Sequence, residues 1–115
     1  WLALAMILIG GATLGAGLAQ EDAVHALTTG AVGVMTLGIM TRASLGHTGR
    51  ARHADSATVA MYALVTCGAI LRVIGTTTSL PTTLVLSSAA ACWSGAYLLF
   101  ALVYGRYLVR PSLDE

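Results

Sequence analysis

From His25 to Arg50 the chain reads His-Ala-Leu-Thr-Thr-Gly-Ala-Val-Gly-Val-Met-Thr-Leu-Gly-Ile-Met-Thr-Arg-Ala-Ser-Leu-Gly-His-Thr-Gly-Arg. Residues 26–41 carry no charge. With its flanks the stretch is long enough for a bilayer-crossing helix, which needs about 20 apolar residues at ~1.5 Å rise each. A histidine stands near each end. An apolar span needs neither, so His25 and His47 are the first candidates for chemistry at the membrane rims.

Composition extends this reading to the whole chain. Of 115 residues, 57% are apolar and only 10% charged, and every basic residue is arginine; an average soluble domain carries roughly 25% charged residues. Residues 1–19, 23–42, 57–75 and 82–104 each form a run of spanning length. The runs are continuous and rich in Leu, Ala, Gly and Val, whereas strands of a membrane barrel would alternate apolar and polar positions. The expected fold is therefore all-α, a polytopic membrane bundle of four transmembrane helices, forming one module with no room for a soluble domain. Trp1 opens directly into an apolar run, which is expected of a piece of a longer polypeptide. A secretory signal peptide is not expected, because Gln20-Glu21-Asp22 and further membrane helix follow that run.

The arginines set an expected orientation. Glu21 and Asp22 follow the first run, Arg42, Arg50 and Arg52 the second, and Arg106 and Arg110 the last, while the connection 76–81 is uncharged. Positive charge thus falls on alternate connections. The positive-inside rule then places both termini and the basic connection in the cytoplasm, with Tyr104 and Tyr107 at the inner headgroup level.

Two polar clusters emerge once the helices are given depths. At the outer rim, His25 begins the second helix beside Glu21 and Asp22, and Arg72 lies about one turn inside the end of the third. An arginine at that depth costs about 1–3 kcal/mol on insertion scales, so it should pair with Glu21 or Asp22, snorkel, or meet an anionic ligand. The alternative is that His25 offers a ring nitrogen to a metal or haem iron while Arg72 neutralises an anion such as a propionate. At the inner rim, Gly46 and Gly49 should turn the backbone around His47 and Thr48, with Arg42 and Arg50 adding positive charge; an anion-shaped loop and a plain helix cap both fit. His53 reads as a surface residue. His25 and His47 are about 33 Å apart along a continuous helix, too far to share one metal. Cys67 and Cys92 fall near the bilayer midplane from opposite faces, where they can be neighbours; small-hydrophobe and thiolate roles both fit. Small residues at spacing four, such as Gly11 and Gly15 or Ala26 and Gly30, are expected to make helix contacts.

The run Gly33-Val34-Met35-Thr36-Leu37 with Met40 to Arg50, ending in Gly-His-Thr-Gly-Arg, resembles the signature of the NnrS family. The likeness continues through Leu71-Arg72-Val73, Tyr104-Gly105-Arg106 and Arg110-Pro111. These are polytopic bacterial inner-membrane proteins associated with denitrification and nitric oxide stress. The resemblance implies a bundle of about a dozen spans, of which this chain would be the C-terminal part. It implies haem and copper as cofactors, nitric oxide or an iron-nitrosyl species as ligand, and partner helices from a longer chain or other subunits beside the lipid bilayer; no nucleic acid is expected. Under it, His25 and His47 are metal candidates, and His25, Arg72, Arg42 and Arg50 are cofactor-binding candidates.

Two readings stand side by side. One is an integral membrane haem/copper protein of the nitric oxide response. The other is a metal-free transporter or assembly module whose His and Arg settle helix ends or bind an anion. No nucleotide loop, nucleophile triad or His-Glu-x-x-His motif appears, which sets hydrolytic chemistry aside.

Overall fold

The computed structural model describes residues 1–17, 20–75 and 78–113, with the side chains of Leu2, Thr13 and Asp22 outside the description. Its elements are α1 (Leu2–Gly15), α2 (Gln20–His25), a π-helical segment (Ala26–Val32), α3 (Gly33–His47), α4 (Ser56–Ile74) and α5 (Thr82–Leu108). No strand occurs among the described residues, so the all-α membrane bundle expected from composition is the fold that forms. Ala23–His47, Ser56–Ile74 and Thr82–Leu108 are long and apolar enough to cross a membrane.

The first expected span, residues 1–19, is helical only over the 14 residues Leu2–Gly15. That is about 21 Å at ~1.5 Å per residue, short of a ~30 Å hydrocarbon core. Gly17 ends it by taking φ 69 and donating its N–H to the Leu14 carbonyl at 3.1 Å, a bond that closes the last turn. Leu18 and Ala19, the end of that expected span, lie outside the described residues.

The second span is longer than expected. α2, the π segment and α3 follow without a break, and helix continues past Arg42 to His47. The stop is a Schellman cap: Gly49 takes φ 64, Arg50 N–H donates to the Leu45 carbonyl at 2.9 Å and Gly49 N–H to Gly46 at 3.4 Å. The expectation that Gly46 and Gly49 both turn the chain is corrected here. Gly46 is an ordinary helical residue, and only Gly49 supplies the left-handed conformation that L side chains avoid.

Two sequence devices start the later helices. Asp55, extended at φ −80 and ψ 176, accepts from Thr58 N–H at 2.8 Å and from Thr58 Oγ1 at 2.7 Å, which caps α4. Pro81 opens α5, its carbonyl accepting from Leu84 and Val85 N–H.

α4 packs along α5, and both pack against the long helix Gln20–His47. The main core holds Leu37, Met61, Val65 and Ala96, all fully buried, with Phe100 stacked on Tyr104 at 5.0 Å. Tyr104 OH and Thr58 Oγ1 lie 2.7 Å apart, so this buried phenol is satisfied. A smaller cluster of Met6, Ala31 and Ala69 ties α1 and the π segment to α4. α4 runs close against α5 at Gly68, where an added Cβ would stand 2.9 Å from the Ala89 carbonyl. Cys67 and Cys92, both free thiols, are near enough to interact across these two helices, the neighbour relation their depths allowed.

Candidate functional site

The π segment shapes the outer end of the bundle. Bonding from i to i+5 widens a helix and disturbs carbonyl pairing at its junctions with α-helix. Two threonines answer this locally: Thr28 Oγ1 donates to the Val24 carbonyl at 2.7 Å and Thr29 Oγ1 to the His25 carbonyl at 2.5 Å. Two aromatic side chains answer it from α5. Trp93 Nε1 donates to the Thr29 carbonyl at 3.3 Å, and Tyr97 OH donates to the Gly33 carbonyl at 3.0 Å.

Beside this seam lies a cleft of about 330 Å³ lined by His25, Thr29, Gly68, Arg72, Leu86, Ala89, Ala90, Trp93 and Ser94. His25 and Arg72 are far apart in sequence and share this one wall. His25, half-buried at the end of α2, places Nδ1 2.6 Å from the Glu21 carbonyl oxygen. A carbonyl only accepts, so Nδ1 carries the proton and, in the neutral ring, Nε2 keeps the free lone pair. Metal-ligating histidines are commonly held this way, with the second nitrogen bonded to a carbonyl or carboxylate. Arg72, half-buried on the last turns of α4, makes no hydrogen bond or ion pair among the described residues. Asp22, one expected partner for it, has its side chain outside the described residues.

His25 and Arg72 alone make a sparse donor set. Among the described residues no three His, Cys, Asp or Glu side chains converge. A bare copper or zinc ion needs such a set, whereas haem iron brings four nitrogens of its own and asks for one or two axial ligands. One imidazole, small apolar walls at Gly68, Ala89 and Ala90, and a nearby guanidinium are the groups that one edge of a haem would meet, in an open cleft that borders such a group and does not enclose it.

The inner candidates disperse. His47 is exposed at the end of α3, well away from His25 and Arg72. Arg50 lies over the Tyr107 ring at 4.5 Å and donates to the Thr48 carbonyl at 3.3 Å. Arg42 lines a separate cleft of about 380 Å³ with Arg52, His53, Tyr62 and Thr41. His25 and His47 stand at opposite ends of one unbroken helix, as their spacing required. Trp93, Tyr97 and Tyr62 were not among the expected site residues, while His53 is exposed, as expected, and borders the Arg42 cleft. Trp93 and Tyr97, one helical turn apart, carry the one signal available beforehand: polar-tipped aromatics at spacing four inside an apolar span need acceptors.

These features define a polytopic helical membrane protein with an imidazole and a guanidinium in one outer cleft. A family model described as NnrS protein matches residues 1–112, and the chain belongs to that family. Membership makes it a membrane protein linked to the nitric oxide response. Comparison with curated proteins and with solved structures gives no match.

Proposed function

We propose that the outer cleft is a haem site of a bacterial inner-membrane protein that handles nitric oxide or an iron-nitrosyl species, with the basic connection 48–55 in the cytoplasm. The observation that carries this reading is the His25 Nδ1 bond to the Glu21 carbonyl, 2.6 Å, which frees Nε2 in a cleft also lined by Arg72. His25 would be the axial ligand and Arg72 the counter-charge to a propionate. When bound, haem supplies an iron that takes a diatomic ligand. The chain's own residues set the conditions: Glu21 fixes the imidazole tautomer, Thr29 and Trp93 hold the π segment behind it, and Leu86, Ala89 and Ala90 keep the pocket apolar. Copper would take donors from helices beyond these residues, and His47, with Arg50 close in sequence, is the inner-rim position from which such a site could be completed. Support for the arginine arrangement comes from two basic regions falling on alternate connections.

The absorption spectrum of the protein purified from membranes tests this. A Soret band is expected, lost in His25→Ala and retained with weaker haem binding in Arg72→Gln. No Soret band in the wild type, or an unchanged one in His25→Ala, would refute the assignment and favour an anion-binding, metal-free module.

A further inference from the structure

The opposite end of the bundle carries two clefts that share a wall. One, about 380 Å³, carries Thr41, Arg42, Arg52 and His53 on its lining beside apolar groups such as Leu45 and Ala54. The other, about 570 Å³, is lined by Met35, Gly38 and Ile39 together with Arg42, Arg52 and Tyr62. Arg42, Arg52 and Tyr62 belong to both. From Arg42 to Met35 the second cleft follows α3 for about 10 Å into the apolar span. Met35 and Ile39 are 52% and 66% exposed along it, and at Gly38 an added Cβ would have Tyr62 Oη as its nearest neighbour, at 3.5 Å.

The charges at the mouth are uncompensated. Neither Arg42 nor Arg52 makes a hydrogen bond or an ion pair among the described residues, and the Arg52 guanidinium lies over the bare backbone of Gly46. Asp55, the acid nearest in sequence, spends Oδ1 on Thr58, and Arg50 is turned to Tyr107. Thr41 Oγ1 and Tyr62 OH, 2.9 Å apart, pin the shared wall. An occupant must therefore be anionic at one end and apolar at the other, and must lie where helix ends leave the membrane.

We propose that these joined clefts bind an anionic phospholipid, its phosphate between Arg42 and Arg52 and an acyl chain along Met35, Gly38 and Ile39. Guanidinium forks match phosphate oxygens, and basic pockets between membrane helices recognise anionic headgroups in this manner. The site is independent of the haem reading: it uses the other end of the bundle and none of the same residues.

Native mass spectrometry of the delipidated full chain, titrated with phosphatidylglycerol, phosphatidylcholine and inorganic phosphate, tests it. One phosphatidylglycerol is expected to bind more tightly than phosphatidylcholine. Its affinity should fall about thirtyfold in Arg42→Gln/Arg52→Gln and about fivefold in Arg52→Gln alone, which lies in a connection and disturbs no helix. Gly38→Leu, which fills the furrow, should also weaken it, and Arg106→Gln should leave it unchanged. Equal binding of the two lipids, or an unchanged phosphatidylglycerol affinity in both arginine variants, overturns the proposal; displacement by inorganic phosphate overturns the lipid as the source of the anion.

Discussion

The Tyr97 hydroxyl donates to the Gly33 carbonyl at 3.0 Å, at the point where the π segment returns to α-helix. One turn earlier on α5, Trp93 Nε1 stands 3.2 Å from where a Cβ on residue 33 would lie. The glycine thus gives the indole room to reach the Thr29 carbonyl. Gly33→Leu should push Trp93 away and destabilise by about 1–3 kcal/mol, as overpacking does. Tyr97→Phe should cost about 1 kcal/mol, the value of one hydrogen bond between membrane helices. Thermal unfolding in detergent, followed by tryptophan emission, reads both; a neutral Gly33→Leu would show that the two helices do not meet there.

Gly68 and Gly95 separate contact glycines from idle ones. A Cβ at 68 would lie 2.9 Å from the Ala89 carbonyl and 3.0 Å from the Trp93 nitrogen, both backbone atoms that cannot step aside. Gly68→Ala should destabilise by about 1–3 kcal/mol and, since Gly68 lines the outer cleft, reduce ligand retention with it. Gly95 has nothing within 4 Å. Gly95→Ala should be neutral or stabilising by up to about 1 kcal/mol, because alanine is the better helix former. The melting temperature should fall in Gly68→Ala and hold or rise in Gly95→Ala.

The membrane class and three of the spans were legible because composition and run length determine them, and the His25–Arg72 pairing was legible for a related reason. Residues at equal depth on antiparallel helices lie at the same end of a bundle, so depth arithmetic alone set them at one rim. The π segment was not legible: Ala26–Val32 is an uncharged run that continues into α3 with the same kinds of residue, and two carbonyls at its end are met by Trp93 and Tyr97 on α5, far away in sequence. The fate of the inner arginines was equally hidden. Arg50 is taken by Tyr107, a residue on another helix, and no local pattern separates it from Arg42 or Arg52.

Gly46 and Gly49, alike in sequence, should respond differently to substitution. Gly49→Ala places a side chain at φ 64 and should cost about 1–2 kcal/mol. Gly49→Asn should cost less, since asparagine tolerates that region. At Gly46 the atom nearest an added Cβ is Arg52 Nη2 at 3.3 Å, the far end of a flexible side chain. Gly46→Ala should therefore leave stability nearly unchanged. Equal losses at the two positions in thermal unfolding would contradict the cap geometry.

Acid should weaken the cap that starts α4. The Thr58 hydroxyl, first, and the Thr58 N–H, second, both donate to Asp55 and hold its carboxyl below the ordinary value of 3.8. Because Thr58 Oγ1 donates to Asp55 at 2.7 Å, it must accept from Tyr104 OH, which links the cap to the buried end of α5. A carboxyl whose value is lowered on folding contributes stability above its unfolded value and loses it as the pH falls through the folded one. Asp55→Ala should cost about 1 kcal/mol at neutral pH, the usual worth of an N-cap. Asp55→Asn keeps an acceptor but not the charge. The stability difference between wild type and Asp55→Asn should therefore be constant above about pH 5 and shrink steadily as the pH falls through the ordinary carboxylate value and below it, while other carboxyls titrate alike in both proteins and cancel. A difference that stays constant through that range would mean the cap does not depend on the charged carboxylate.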